Sequence, residues 1–236
     1  MTSLQDLSHR ELREHIVRTF RRGGGSRPDV LLVRVNGEEA VLKDYSRADP
    51  WFRRLVGPMS VRREARALRQ LDGARGVPRL LRVVDREALL LEYIPGTSTR
   101  EVAPGGLTPQ FFKRFYRLVE RLHEHGVAHC DLRSRGNVLV GIDGEPYVVD
   151  FVAHFRRGRP WNLPARWMYE KFCEADRVAV ARLKRSHAPE LLTEWEQKAL
   201  ARDRKTPLER AARFVGKSVR NISRLLLTRK GKSAGD

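Results

Sequence analysis

The run His129-Cys130-Asp131-Leu132-Arg133-Ser134-Arg135-Gly136-Asn137-Val138-Leu139-Val140, followed by Tyr147-Val148-Val149-Asp150-Phe151, constrains the fold more than any other part of the chain. Val138 to Val140 and Tyr147 to Val149 are β-rich, and the Asp143-Gly144 dipeptide between them is a hairpin turn signal. A turn centred on that dipeptide sets Asn137 opposite Asp150 at the open end. Asp131 lies a short loop upstream, so a carboxylate base, an amide oxygen and a second carboxylate are expected at one mouth. Hard oxygen donors of this kind suit Mg²⁺, which usually binds one or two carboxylates while also holding substrate phosphates. Taken singly, each residue also fits a plain role, because Asp and Asn are common turn formers. Their order and spacing carry the argument.

That order resembles the protein-kinase catalytic loop and metal-binding segment, in which a His-x-Asp loop supplies the base, a downstream Asn binds metal and Asp-Phe-Gly supplies the main metal carboxylate. The resemblance implies Asp131 as base and Asn137 and Asp150 as metal ligands. Two departures stand out: Asn137 follows Asp131 by one residue more than usual, and Val152 occupies the glycine position. The extra residue is expected as a bulge around Gly136, and Val152 is expected to restrict Phe151. His129 is expected to hold the loop by hydrogen bonding and not to carry protons.

Upstream, Val30 to Val35, the Asn36-Gly37 turn and Glu39 to Lys43 read as a second hairpin. Its end looks like the kinase strand whose lysine, here Lys43, contacts the α- and β-phosphates of ATP. The stretch from Ser60 to Leu71 has apolar residues at 61, 65, 68 and 71, a helical period that places Glu64 within the apolar stripe. A carboxylate there needs a partner, since an unpaired buried charge is costly. Lys43 is the natural candidate, with Arg62, Arg63 and Arg66 as alternatives.

Ala88 to Gly96 is a short apolar strand running into a Pro-Gly break, similar to the kinase hinge, which implies that the Glu92 carbonyl and the Ile94 amide meet the adenine edge; an ordinary core strand is the alternative. Thr108-Pro109 predicts a helix start, with Phe111, Phe115, Leu118 and Leu122 on one face and Gly126 as the stop. The only glycine cluster before Lys43 is Gly23-Gly24-Gly25-Ser26, which fits a phosphate-cradling loop or a linker equally well.

Together these features predict an α+β, two-lobed protein-kinase-like fold with a small β-rich N-lobe and a mainly helical C-lobe. The expected division is an N-terminal extension at 1–27, N-lobe and hinge at 28–94, C-lobe at 95–200 and a basic tail at 201–236. The segments 62–68, 76–81 and 91–96 resemble the small bacterial kinases grouped with lipopolysaccharide core kinases and RIO-like kinases. No Ala-Pro-Glu segment follows Phe151, and the next helix is expected near Asp176, a residue that resembles the aspartate bracing the kinase catalytic loop. Acceptor contacts are expected from the arginines and tryptophans within 156–169, although a solvent-rimmed loop fits them as well.

The two cysteines, Cys130 and Cys173, exclude a disulfide scaffold or a Cys-rich zinc site. No signal peptide and no long apolar run are evident, so a cytoplasmic protein, or one peripheral to the inner face of the membrane, is expected. The formal net charge is +18, and residues 206 to 236 carry eight Lys or Arg against two acids. Leu208, Ala212, Val215, Val219, Ile222 and Leu226 there recur at spacings of three and four, as in a basic amphipathic helix. Such a helix suits an anionic membrane surface or packing on the C-lobe. Phe214 is its lone aromatic, so nucleic acid is poorly supported as a partner.

The function expected is ATP-Mg²⁺-dependent phosphoryl transfer to a hydroxyl, with a lipopolysaccharide inner-core sugar or similar glycolipid as acceptor. The alternatives are a RIO-like protein serine/threonine kinase and a pseudokinase that binds nucleotide and regulates a partner.

Overall fold

A computed structural model describes residues 3–203. The amphipathic helix expected in the basic tail lies outside the described residues. The described chain forms two compact units, 3–62 with 81–91 and 63–80 with 92–203.

The first unit opens with α1 (His9–Glu14). Its Ser8 side chain accepts the Glu11 N–H while the Glu11 carboxylate accepts the Ser8 N–H, a reciprocal cap that satisfies two donors otherwise orphaned at a helix start. Strands β1 (Ile16–Arg21), β2 (Asp29–Val35), β3 (Glu38–Asp44), β4 (Leu80–Val83) and β5 (Ala88–Glu92) build a sheet in the order β1-β2-β3-β5-β4. Asn36 and Gly37 join β2 to β3 with φ of +50° and +86°, the left-handed pair required by a two-residue hairpin of matching twist. Alternation then buries Leu31, Val33 and Val35 of β2 with Ala40 and Leu42 of β3, against Leu4, Leu7, Leu12, Ala88 and Leu90.

β1 lies within the stretch read from the sequence as an N-terminal extension. Four of its six residues are exposed, so it offers no alternating apolar signal, and two irregularities in its pairing with β2 blunt this sheet edge. The glycine run connects β1 to β2 as a tight turn. Gly24 and Arg27 exchange backbone hydrogen bonds at 3.1 Å, and a Cβ at Gly23 would stand 2.6 Å from the Asp29 backbone nitrogen.

Helix α2 (Pro50–Gln70) starts well before the expected Ser60, with Pro58 in its interior. Gly57 and Pro58 oppose helix locally, yet both are buried, and Gly57 leaves room beside the Tyr45 side chain. Tertiary packing overrides propensity there.

In the second unit, β6 (Gly96–Ser98), β8 (Val138–Gly141) and β9 (Pro146–Val148) form a sheet in the order β6-β8-β9, while β7 (Val127–Ala128) pairs with β10 (Phe155–Arg156). Helix α3 (Pro109–Glu124) starts at Thr108, whose hydroxyl accepts the Phe111 N–H at 3.1 Å, and the chain turns after it at Gly126 with φ +76°. Phe111, Phe115, Leu118 and Leu122 are its buried face. Helix α4 (Leu163–His187) begins far ahead of Asp176: Asn162 caps the Ala165 N–H at 3.0 Å and Pro164 sits in the first turn. Residues 163–169, expected to be loop, are therefore its opening turns. Tyr169 and Cys173 of α4 pack on Ala128, and Val178 and Ala181 pack on Leu200 of α5 (Glu194–Asp203). No helix among the described residues is long and apolar enough to cross a membrane.

Candidate functional site

Asp131, Asn137, Asp150, Glu64, Glu92 and Ile94 all belong to the second unit, and Lys43 to the first. The β8–β9 hairpin supplies the frame. Val138 pairs with Val148 and Leu139 with Tyr147, one residue out of the expected register. The loop is Ile142-Asp143-Gly144, with the Gly144 N–H on the Gly141 carbonyl at 2.9 Å and Gly144 at φ +73°, a three-residue connection closed by a left-handed glycine. The expected two-residue turn is thus corrected, and the Val149 N–H, not a group of Asp150, meets the Asn137 carbonyl at 2.9 Å.

Asn137 and Asp131 are brought together. The Asn137 Nδ2 donates to Asp131 Oδ2 at 3.0 Å and to the Asp131 carbonyl at 3.1 Å. Asn137 is buried and Asp131 exposed, so a fixed amide holds a carboxylate that faces solvent. The additional residue between them is absorbed in a short 3₁₀ turn at Arg135–Asn137, where the Asn137 N–H bonds Ser134 O at 2.8 Å. The hydroxyls of Ser98 and Thr99 donate to the Arg135 carbonyl at 3.1 and 2.9 Å and pin that turn.

Asp176, almost fully buried, braces the loop from α4. Its Oδ2 accepts the His129 N–H at 2.7 Å and lies 3.1 Å from His123 Nε2, while its Oδ1 accepts the Cys130 N–H at 2.9 Å. The His129 ring is spent on structure as well. Its Nδ1 accepts the Asp131 N–H at 3.3 Å, which leaves Nε2 to donate to the Val149 carbonyl at 3.1 Å. Cys130 takes φ +67° between these bonds, an uncommon conformation for a residue with a side chain. Burial, aided by the Asp176 charge, pushes its thiol far above the usual range, which disfavours the reactive thiolate.

Asp150 is also left-handed, at φ +69° and ψ +69°, a conformation Asp tolerates better than most residues. It leads into a 3₁₀ turn, Phe151–Ala153, which holds Val152 where the kinase pattern has glycine. Phe151 is fully buried edge-on to His129, with ring centroids 4.8 Å apart, and its N–H donates to Glu64 Oε1 at 3.2 Å. Glu64, 1% exposed, therefore contacts the segment carrying Asp150. Lys43 is 4% exposed at the end of β3. Beyond β5, the Glu92 carboxylate accepts the Arg79 N–H at 2.9 Å and the Pro95 carbonyl accepts the Ile142 N–H at 3.1 Å, which fixes both ends of the segment containing Ile94.

Two contributors escaped the sequence reading. Arg63 donates from Nε to the Val152 carbonyl at 3.1 Å and from Nη2 to the His154 carbonyl at 2.6 Å, and His154 bonds the Phe151 carbonyl through Nδ1 at 2.7 Å. The carbonyls that Arg63 reaches lie 89 and 91 residues away from it, and no local pattern announces them.

With Nδ2 committed to Asp131, the hard donor left on Asn137 is Oδ1, and Asp150 carries oxygen donors as well. The described residues hold no group of three or more His, Cys, Asp or Glu able to enclose a metal. A cation here would complete its shell with water and phosphate oxygens, which is the habit of Mg²⁺; the donors fit it.

No family model and no curated protein matches the chain. Among solved structures, the Rio2 kinase from Chaetomium thermophilum aligns with a TM-score of 0.58 at 16% identity, covering 95% of this chain and 76% of that one. The Rio2 kinase-ADP/Mg²⁺-phosphoaspartate complex from Chaetomium thermophilum aligns at 0.57 and 15%, covering 99% and 81%. At such identity the likeness is one of fold: with its sheet-rich N-terminal region and helical C-terminal region, the chain has an α+β, protein-kinase-like fold.

Proposed function

We propose that the chain is a kinase that transfers the γ-phosphoryl group of ATP to a hydroxyl. The observation that carries this reading is the Asn137 amide bonded to the exposed Asp131 carboxylate, on a loop anchored by Asp176. Asp131 orients the acceptor hydroxyl and takes its proton. Asn137 Oδ1 and the Asp150 carboxylate hold Mg²⁺. Lys43, paired with Glu64, neutralises phosphate charge, and the Glu92 carbonyl and Ile94 amide receive the adenine edge. Bound Mg²⁺-ATP supplies the phosphoryl group and draws charge from its oxygens, so positioning and electrostatics account for most of the rate.

The acceptor proposed is a sugar hydroxyl of the lipopolysaccharide inner core or a similar membrane glycolipid. It is supported by the resemblance of 62–68, 76–81 and 91–96 to that kinase group and by the charge of the 201–236 tail, which suits a cytoplasmic protein on the inner face of an anionic membrane. A second reading, a RIO-like protein serine/threonine kinase, is favoured by the fold likeness to Rio2.

Purified protein with labelled ATP and Mg²⁺ tests the activity. Transfer should fall about 10²- to 10⁴-fold in Asp131→Ala. Nucleotide binding with no transfer to any acceptor would instead mark a pseudokinase. Phosphate on core sugars from cells with and without the protein tests the acceptor, and unchanged sugars beside altered protein phosphorylation would select the RIO-like reading.

A further inference from the structure

The second unit contains a cleft of about 240 Å³ lined by Arg63, Arg66, His154, Phe155 and Arg156. Arg63 and Arg66 come from α2 and Arg156 from β10. Arg63 spends Nε and Nη2 on the Val152 and His154 carbonyls, and Arg156 bonds the neutral Gln70 side chain. Arg66 makes no hydrogen bond or ion pair with any described residue. Three guanidinium groups thus border one small cleft, and among the described residues none is paired with a carboxylate. Arg66 and Arg156 are exposed and Arg63 half-buried, so the cleft opens to solvent with positive charge toward an incoming anion. Their potential is felt at His154, which burial first, and then Arg63 and Arg156, hold down at about 4, in its neutral form.

We infer that this cleft is a binding site for a phosphomonoester, gripped by Arg66 and Arg156 with Arg63 at its base. The guanidinium fork matches phosphate oxygens in pairs, which a lysine cannot do. The volume is below the roughly 300–1,000 Å³ of pockets for drug-sized ligands and suits a phosphate head with its ester linkage. Arg63 also holds the carbonyls just beyond Asp150, so the ligand sits against the segment that carries the proposed metal ligand. Resting on the kinase reading, the site names the acceptor class: a hydroxyl compound that already bears a phosphate.

The test is titration of the full-length protein with inorganic phosphate, glucose 6-phosphate and glucose, followed by calorimetry at fixed ionic strength because a net charge of +18 attracts anions generally. Saturable binding of both phosphates, with none for glucose, is expected. Arg66→Gln and Arg156→Gln should each weaken it about 10-fold or more, while Lys113→Gln on the exposed side of α3 leaves it unchanged. Binding of the ester at least as tight as that of inorganic phosphate supports a phosphorylated acceptor, and weaker binding of the ester overturns that assignment. The inference is overturned if nothing saturates by ~10 mM, where even a millimolar site would fill, or if Lys113→Gln weakens binding as much as the arginine variants. Neither ATP nor turnover enters the titration, so phosphate binding without phosphoryl transfer sinks the kinase reading alone, and transfer without phosphate binding sinks the site alone.

Discussion

Asp176 offers the sharpest test of how the loop from His129 to Asn137 is held. Its carboxylate, 1% exposed, accepts the His129 and Cys130 amides at 2.7 and 2.9 Å and faces His123 Nε2 at 3.1 Å. A hydrogen bond to a charged group contributes about 1.5–3 kcal/mol, and a buried donor left unsatisfied costs about 1–3 kcal/mol. The two backbone donors cannot rotate away, whereas His123 can readjust, so Asp176→Ala should cost about 3–5 kcal/mol. Asp176→Asn keeps the shape and one acceptor but turns an amide donor toward the second N–H, for about 2–3 kcal/mol. Urea unfolding followed by tryptophan fluorescence reads this, because three of the four tryptophans, Trp161, Trp167 and Trp195, lie in the same unit. Hydrogen exchange at the His129 and Cys130 amides should accelerate in both variants. An Asp176→Ala cost below about 1 kcal/mol, or undiminished protection of those two amides, would refute the brace.

The first unit should respond to acid. Burial works to raise the Asp44 carboxyl, but the His9 ring and the Ser46 amide and hydroxyl outweigh it and hold the group at about 2, below its ordinary 3.8. That contribution is complete above 3.8 and lost as pH falls through about 2, so unfolding should steepen across this window and Asp44→Asn should remove the steep limb. His9 runs the other way: the Asp44 contact raises its pKa, so its stabilisation is full below 6.5 and is lost as pH climbs through the raised value, which a melting series from pH 6.5 upward will show. In the second unit, Gly96→Ala places a Cβ 2.4 Å from the Val140 carbonyl oxygen and should cost about 1–3 kcal/mol in urea, because strand β6 must move. Glu64→Gln keeps an acceptor for the Phe151 N–H, so a fall in phosphoryl transfer in that variant would show that the charge itself is required.

Local signals were legible from the residues alone. Asn36-Gly37 demanded a left-handed pair, Thr108-Pro109 a helix start and Gly126 its end, and each is decided within a few residues by steric limits or a side-chain cap. The Asp131–Asn137 hydrogen bond was legible for the same reason, since the two residues stand six apart on one loop. Tertiary structure decided what depends on distant partners. Asp-Gly fits either a two- or a three-residue loop, and the register of β8 is set where its Gly141 lies beside Gly96 of β6, which leaves no space for a side chain. Gly57 and Pro58 stay helical because they are buried, β1 forms because β2 offers it an edge, and Arg63 finds the Val152 and His154 carbonyls across the fold. Backbone preference acts over a few bonds and is written in neighbouring residues, whereas burial and register are satisfied only when remote segments meet.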